Sequence, residues 1–395
     1  MSAWPAVNFG EVVQINPRIG TDRPALSMPV TFVPMAAVCE YTGSILSPDV
    51  RQFSDVAKGF PIFAENDVLF AKITPCMENG KAAIARNLKN QIGAGSTEFF
   101  VLRPSEQILS EFIFHFIRRP HFRAICKANF TGSAGQQRVP KSFLEKTQIP
   151  LPPLDVQRRI VGLLDRAAEI RRRADAARAK ARAIIPALFL NTFGDPATNP
   201  KGWPVREVGD LTGIELRNGI SPSKTGTVIG NVLMLSAITR GTFDPSARKE
   251  STFAASLAIE QTVSRSLFLI CRGNGNRQLV GKGAYPTVDM PGVAFPDTMI
   301  ALRTVGTEVA PAYLSSVWAS GHIRTQIDAA AKTTNGTFKI SQGSILRFSF
   351  PLPPLALQTA FAEQVHRLES LAHNLDAAAA KAAVMAASLS AEVFG

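Results

Sequence analysis

The chain has 395 residues, 46% of them hydrophobic and 8% aromatic, which excludes a disordered tract and suggests two domains or more. Its 43 Lys and Arg against 31 Asp and Glu leave +12, a balance that favours an anionic partner, either nucleic acid or a membrane surface. Cys39, Cys76, Cys126 and Cys271 lie far apart with no CxxC pair, which argues against a disulfide framework or zinc site and fits reduced thiols in a cytoplasm. The start, "MSAWPAVNFGEVV", lacks a basic region followed by an apolar stretch, and no apolar run is expected to reach transmembrane length.

Residues 1–150 mix short β-type runs, "DVLFAKI" and "TEFFVL", with frequent Gly and Pro, and predict one helix around 109–127. "IPLPPLDVQRRI" (149–160) follows, and its prolines sit well just ahead of a helix. From there Ile160, Leu163, Ala167, Ile170, Ala174, Ala177, Ala181, Ile184 and Leu188 recur at steps of three and four, a heptad seam. Pro186 predicts a break or kink near the end of this helix.

Residues 196–350 repeat the pattern, with "RSLFLIC" and "TMIALR" as strands and one helix near 308–331. "FPLPPLALQTAF" (350–361) then repeats the proline signal 201 positions on, and Gln358 falls on Gln157. Phe361, Gln364, Leu368, Leu371, Leu375, Ala378, Ala382, Met385 and Leu389 continue the second seam. Residues 155–191 carry nine Lys or Arg against four acids, and residues 358–394 carry two against four. A basic and an acidic helix with small seam residues are expected to pack on each other. The expected fold is therefore α+β, a tandem repeat of about 195 residues with internal pseudo-two-fold symmetry. It divides as 1–150, 151–195, 196–350 and 351–395, two strand-rich α/β domains joined by two long antiparallel coiled-coil helices.

No catalytic motif is found. "GNGNRQLVGKG" (273–283) misses phosphate-loop spacing by one residue and has Gly283 where a hydroxyl should hold magnesium. His115, His121, His322, His366 and His373 do not form ligand spacing. What remains are polar, basic loops in matching places. "AKITPCMENGK" (71–81) matches "CRGNGNRQLVGK" (271–282), "TGSAGQQRV" (131–139) matches "TTNGTFKI" (333–340), and "NGISPSK" (218–224) offers Gly, hydroxyls and Lys224. Arg, Lys, Gln and Asn read base edges, while hydroxyls and amides mostly hold phosphates. The candidate DNA-binding residues are Lys72, Lys81, Gln136, Gln137, Arg138 and Lys141 in the first half, and Asn218, Ser221, Lys224, Arg272, Asn274, Arg277, Lys282 and Lys339 in the second. Lys81 and Lys282 suit phosphates, and Gln136, Gln137 and Arg138 suit base edges.

"IPLPPLDVQRRIVGLLD" resembles the start of the central conserved region in specificity (S) subunits of type I restriction–modification systems. The copy at 350–358 is similar to their distal conserved region, and "NGISPSK" and "TGSAGQQRV" resemble loops of their target-recognition domains. The resemblance implies a non-catalytic subunit that binds double-stranded DNA. One domain would read each half of a split target, with the helices as a ruler. It also implies two modification (methyltransferase) subunits docking near the conserved helices, and restriction/translocase subunits. S-adenosylmethionine, ATP and Mg would sit on those partners and no cofactor on this chain. The competing readings are a specificity-like subunit of another DNA-defence or modification system and a basic coiled-coil scaffold at membranes. Against the scaffold, neither helix carries a strongly apolar face beyond its seam.

Overall fold

The run "DVLFAKI" becomes the strand Val68–Ala71, and the FFVL of "TEFFVL" opens Phe99–Pro104. All four residues of the first strand are buried, so its apolar run is continuous and does not alternate. The two strands pair antiparallel, with Val68 opposite Leu102 and Ala71 opposite Phe99. They form the middle of a four-stranded sheet ordered Val13–Ile15, Phe99–Pro104, Val68–Ala71, Ala82–Ile84. A second four-stranded sheet runs Asp49–Gln52, Pro29–Val33, Ile92–Gly95, Ile62–Ala64, with a parallel central pair. Val33 and Phe63 from the second sheet meet Leu69, Phe99 and Val101 from the first in one core. The other face of the first sheet, through Val68, Phe70, Phe100 and Leu102, packs on helices.

The second half repeats these orders. One sheet runs Ile214–Asn218, Met299–Thr304, Leu267–Cys271, Gly283–Ala284, and the other Arg248–Phe253, Val228–Leu233, Met290–Ala294, Thr262–Val263. The parallel pair recurs between Val228–Leu233 and Met290–Ala294. In both halves a ribbon ties the domain's first strand to the segment before the prolines, Ala6–Asn8 with Gln148–Pro150 and Val205–Glu207 with Ser349–Pro351. The structure is a computed structural model that describes residues 4–18, 24–133, 136–223, 225–304, 308–334 and 336–395.

Where one helix is expected near 109–127 there are two, Ser110–Arg118 and Pro120–Ala128. Pro120 cannot donate into the preceding turn, and Arg119 before it is extended at ψ 138°. The single helix expected near 308–331 is likewise Pro311–Trp318 and Gly321–Ala330. There the Ser320 hydroxyl accepts from Ile323 N at 3.4 Å and caps a new helix.

Both proline signals open long helices, Leu154–Phe193 and Leu355–Phe394, of 40 residues each. The expected break at Pro186 is absent, and the first helix runs on through it to Phe193. The chain folds as two compact units, Met1–Asp175 with Leu375–Gly395, and Ala176–Asn374. Each unit thus takes one strand-rich domain, the start of one long helix and the end of the other. In the first unit Ile160 and Leu164 share a core with Val393 and Phe394, whose ring lies 4.9 Å from Phe112. In the second, Phe189 and Phe193 share a core with Phe361 and Tyr313, and Phe193 is 5.2 Å from Phe361 and 4.9 Å from Tyr313. Leu355–Phe394 is, by length and composition alone, apolar enough to cross a membrane, contrary to the sequence expectation. Its many alanines and few charges produce that hydropathy without one continuous run of large side chains.

Candidate nucleic-acid interface

In the first unit the strand Val68–Ala71 leaves its sheet at Lys72. Lys72 N donates to the Glu98 carbonyl and the Lys72 carbonyl accepts from Val139 N, both at 2.9 Å. Ile73 then bridges to Arg138, and Thr74 N donates to the Gln137 carbonyl at 3.1 Å. These main-chain bonds lace the 131–139 loop, as far as it is described, onto the end of the sheet. The Lys72 ammonium stands 5.5 Å from the centre of the Phe100 ring, a cation–π contact.

Arg138 is held at this sheet end by a carboxylate. Its Nε and Nη2 donate to Glu98 Oε2 and Oε1 at 2.9 and 2.7 Å, and Nη1 donates to the Gln136 carbonyl at 2.9 Å. The hydrogen bond from Arg138 holds the Glu98 carboxyl below the usual carboxylate range against the opposing effect of burial, and the Lys72 charge acts in the same sense. Gln136 is exposed and Gln137 half-buried.

Lys81 enters the same sheet end, where Ala71 N donates to its carbonyl at 3.0 Å. Gly80 before it has φ +78°, a left-handed turn that favours glycine, and the Lys81 ammonium donates to the Met35 carbonyl at 3.2 Å. Lys141 lies apart, opening the helix Lys141–Lys146 and pairing with Glu145 at 3.4 Å one turn on.

The second unit builds the same frame with different side chains. Arg272 N donates to the Thr298 carbonyl at 2.8 Å, and the Arg272 carbonyl accepts from Ile340 N at 3.0 Å. Arg272 therefore stands where Lys72 stands in the first unit. Gly273 pairs with Lys339 and Asn274 with Phe338, so Lys339 takes the place of Arg138. Cys271 N donates to the Lys282 carbonyl at 2.8 Å, Gly281 has φ +76°, and the Lys282 ammonium reaches the Thr239 carbonyl at 3.4 Å.

Asn274 Oδ1 accepts from Asn276 N at 2.8 Å and tightens the loop. Arg277 leaves that loop, donates to the Asp328 carbonyl at 2.8 Å and pairs with the Asp328 carboxylate at 3.4 Å. Asn218 ends its strand opposite Ile300, and Gly219 N donates to the Met299 carbonyl at 3.1 Å. A Cβ on Gly219 would stand 2.0 Å from the Pro296 carbonyl oxygen, so only glycine allows this approach. Ser221 follows and is exposed. Arg272 Nη1 donates to the Asp297 carbonyl at 3.2 Å, so segment 295–299 links the 218–221 turn to the Arg272 cluster. Lys224 lies outside the described residues.

The structure thus gathers Lys72, Lys81, Gln137 and Arg138 at one sheet end in the first unit. In the second it gathers Asn218, Arg272, Asn274, Lys282 and Lys339, with Arg277 on the adjoining loop. Sequence reasoning missed the acids that hold the cations, Glu98 and Asp328. One signal was available for Glu98: a charge directly before the apolar strand Phe99–Pro104, where the second copy has Thr298.

Two domains of one fold each close a sheet end with cationic and amide-bearing loops, and known proteins resemble this chain in part. Residues 1–172 match the family described as type I restriction modification DNA specificity domain. Among individual proteins, the specificity subunit of the type I restriction enzyme EcoEI from Escherichia coli is 40% identical over 161 residues, 40% of this chain and 27% of the relative. The EcoKI specificity subunit of Escherichia coli strain K12 is 26% identical over 292 residues, 70% of this chain and 62% of the relative. The matched stretch therefore spans less than two thirds of either relative's length. The crystal structure of the type I restriction–modification S subunit from M. genitalium covers 100% of this chain and 96% of its own, with a TM-score of 0.60 and 12% identity. That last likeness is one of fold.

Proposed function

We propose that this chain is the DNA-binding specificity subunit of a type I restriction–modification complex, reading a two-part target with one domain per half-site. The observation that carries the reading is the duplicated sheet end. Lys72 and Arg272, Lys81 and Lys282, and Arg138 and Lys339 occupy equivalent places, fixed by the same main-chain hydrogen bonds in each unit. A repeated frame with different side chains suits two half-sites of different sequence. Phosphate contacts would supply much of the affinity and base edges the discrimination.

In this reading the four segments 1–150, 151–195, 196–350 and 351–395 act as reader, spacer, reader and spacer. The long helices form an antiparallel coiled coil related by the internal pseudo-two-fold, and their length sets the unread gap. Two modification subunits dock near these helices and bring S-adenosylmethionine. Restriction/translocase subunits bring ATP and Mg, and the complex works in the cytoplasm. This chain contributes specificity and no catalytic residue. The apolar composition of Leu355–Phe394 favours a membrane reading only until its ends are considered. Phe361 and Val365 lie in the core of the second unit, and Val393 and Phe394 in that of the first.

The test exchanges one reader and lengthens the spacer. Replacing residues 1–150 with the corresponding domain of a relative should change one half of the motif and leave the other. Inserting the four residues Arg-Ala-Asp-Ala after Ala177 adds about 6 Å at about 1.5 Å per residue, so the gap should grow by about one or two base pairs with the read bases unchanged. A motif altered in both halves by the exchange, or an active complex with an unaltered gap after the insertion, would refute the division of labour.

A further inference from the structure

Arg138 and Glu98 lie 40 residues apart in sequence, and their contact is a bidentate ion pair at the first unit's loop-bearing sheet end. We infer that Glu98 is a positioning residue that presents Arg138 to a guanine in one half of the DNA target. The inference rests on the reading of the chain given above and names the base that one of its side chains recognises.

A guanidinium has five N–H donors in a fixed plane. Glu98 takes the Nε donor and one Nη2 donor, and the Gln136 carbonyl takes one on Nη1. That leaves one donor on Nη1 and one on Nη2, and 38% of the side chain is exposed. Two donors on the two Nη atoms of one plane can face the O6 and N7 acceptors that guanine shows in the major groove. Adenine presents a donor where guanine has O6, so the same fork meets like with like.

The carboxylate also removes two alternatives. An arginine already fixed in its plane loses little conformational freedom on binding, so the contact gains in selectivity. A neutralised arginine has little attraction for phosphates in general, so it is poorly suited to non-specific holding. The matching position of the second unit lacks this device. Thr298 stands where Glu98 stands, and Lys339 where Arg138 stands. Lysine is a rotatable point charge without a plane, so the matching position of the other half-site should be read less strictly.

The simpler role for the pair is a clamp that pins the 131–139 loop to the sheet. A clamp and a presenter differ in what their loss does to sequence preference. The experiment takes the full-length chain with its modification subunits, selects bound duplexes from a random library, and then measures affinity for duplexes varied at each base pair. The wild type should enrich a motif with a guanine in one half-site. Arg138→Lys and Glu98→Gln should each cut discrimination at that base pair by about tenfold or more, with the other half-site unchanged. Glu98→Gln should leave binding to unrelated duplex equal or raise it, because it uncovers a positive charge. The exchange of the two residues, Glu98→Arg with Arg138→Glu, should restore the thermal midpoint and leave that base pair unread.

The inference is overturned if both single variants keep the full motif while melting earlier, which is the clamp. It is also overturned if the exchanged pair restores reading as well as stability. A wild type that enriches no motif would instead bring down the DNA-reading proposal, and this inference with it.

Discussion

Gln157 and Gln358 are wholly buried, and each serves three main-chain groups. Gln157 Oε1 accepts from Leu109 N at 2.9 Å, and its Nε2 donates to the carbonyls of Gln107 and Pro152 at 2.9 and 2.8 Å. Gln358 repeats this with Ala310 N, Glu308 O and Pro353 O at 2.9, 3.0 and 2.8 Å. Each pins the start of a long helix to the segment just ahead of Ser110–Arg118 or Pro311–Trp318. Gln157→Ala or Gln358→Ala would leave these groups unpaired away from water, at a cost of about 2–4 kcal/mol in denaturant unfolding. The Glu98–Arg138 pair predicts a pH effect. Because the folded Glu98 carboxyl lies below its unfolded value, its contribution is complete above about pH 4.3 and fades as pH falls through the lower folded value. NMR titration of the Glu98 carboxyl should show a depressed midpoint that returns toward normal in Arg138→Ala. The cysteines differ in the same physical way. Burial pushes the Cys126 thiol up to about 12 and Cys271 to about 11, while hydrogen bonds from Thr42 lower Cys39. A thiol reagent at neutral pH should therefore modify Cys39 well before Cys126 or Cys271, which should react only on unfolding.

At the scale of elements, apolar runs and proline signals located the main strands and both long helices. The two helices near 110–128 and 311–330 were each read as one, because periodicity alone passes over a short break. Pro120 and Ser320 were the local signals that would have divided them. Pro186 gave the opposite error. The proline cannot donate to the carbonyl four residues earlier, but the helix continues because Ile185, Leu188, Phe189 and Phe193 on its last turns pack in the second unit's core. Tertiary packing there outweighs a local penalty of about 3 kcal/mol. Pro186 is exposed, so Pro186→Ala should restore a helix hydrogen bond and raise stability by about 1–3 kcal/mol, read from the thermal midpoint.

At the scale of the whole molecule, the second unit is one continuous stretch of chain, Ala176–Asn374, and the first is not. The first is completed by residues from Leu375 onward, some 200 positions beyond its other members. Phe394 carries much of that closure, 4.9 Å from Phe112 and 5.7 Å from Phe116, with the Arg119 guanidinium 4.8 Å from its ring. Burial pulls the Arg119 pKa down to about 10. Phe394→Ala should cost about 3–5 kcal/mol, and limited proteolysis should open the first domain before the second. Selective opening of residues 196–350 in its place would contradict the assignment of this helix end to the first unit.

The sequence by itself determined the repeated proline signal, the main strands, the starts of the long helices and the cationic loops. These follow from periodicity, proline geometry and self-similarity, all of which act over a few residues or repeat at a fixed interval. Only the tertiary structure decided which cations stand free and which are held: Arg138 by Glu98, Arg277 by Asp328, Lys81 and Lys282 by main-chain carbonyls. It also decided that each unit takes the end of a helix begun in the other. Such pairings depend on where distant loops and helix ends meet once the sheets have closed. Hydrogen bonds and ion pairs act over a few ångströms, and no local pattern records which side chains come that close.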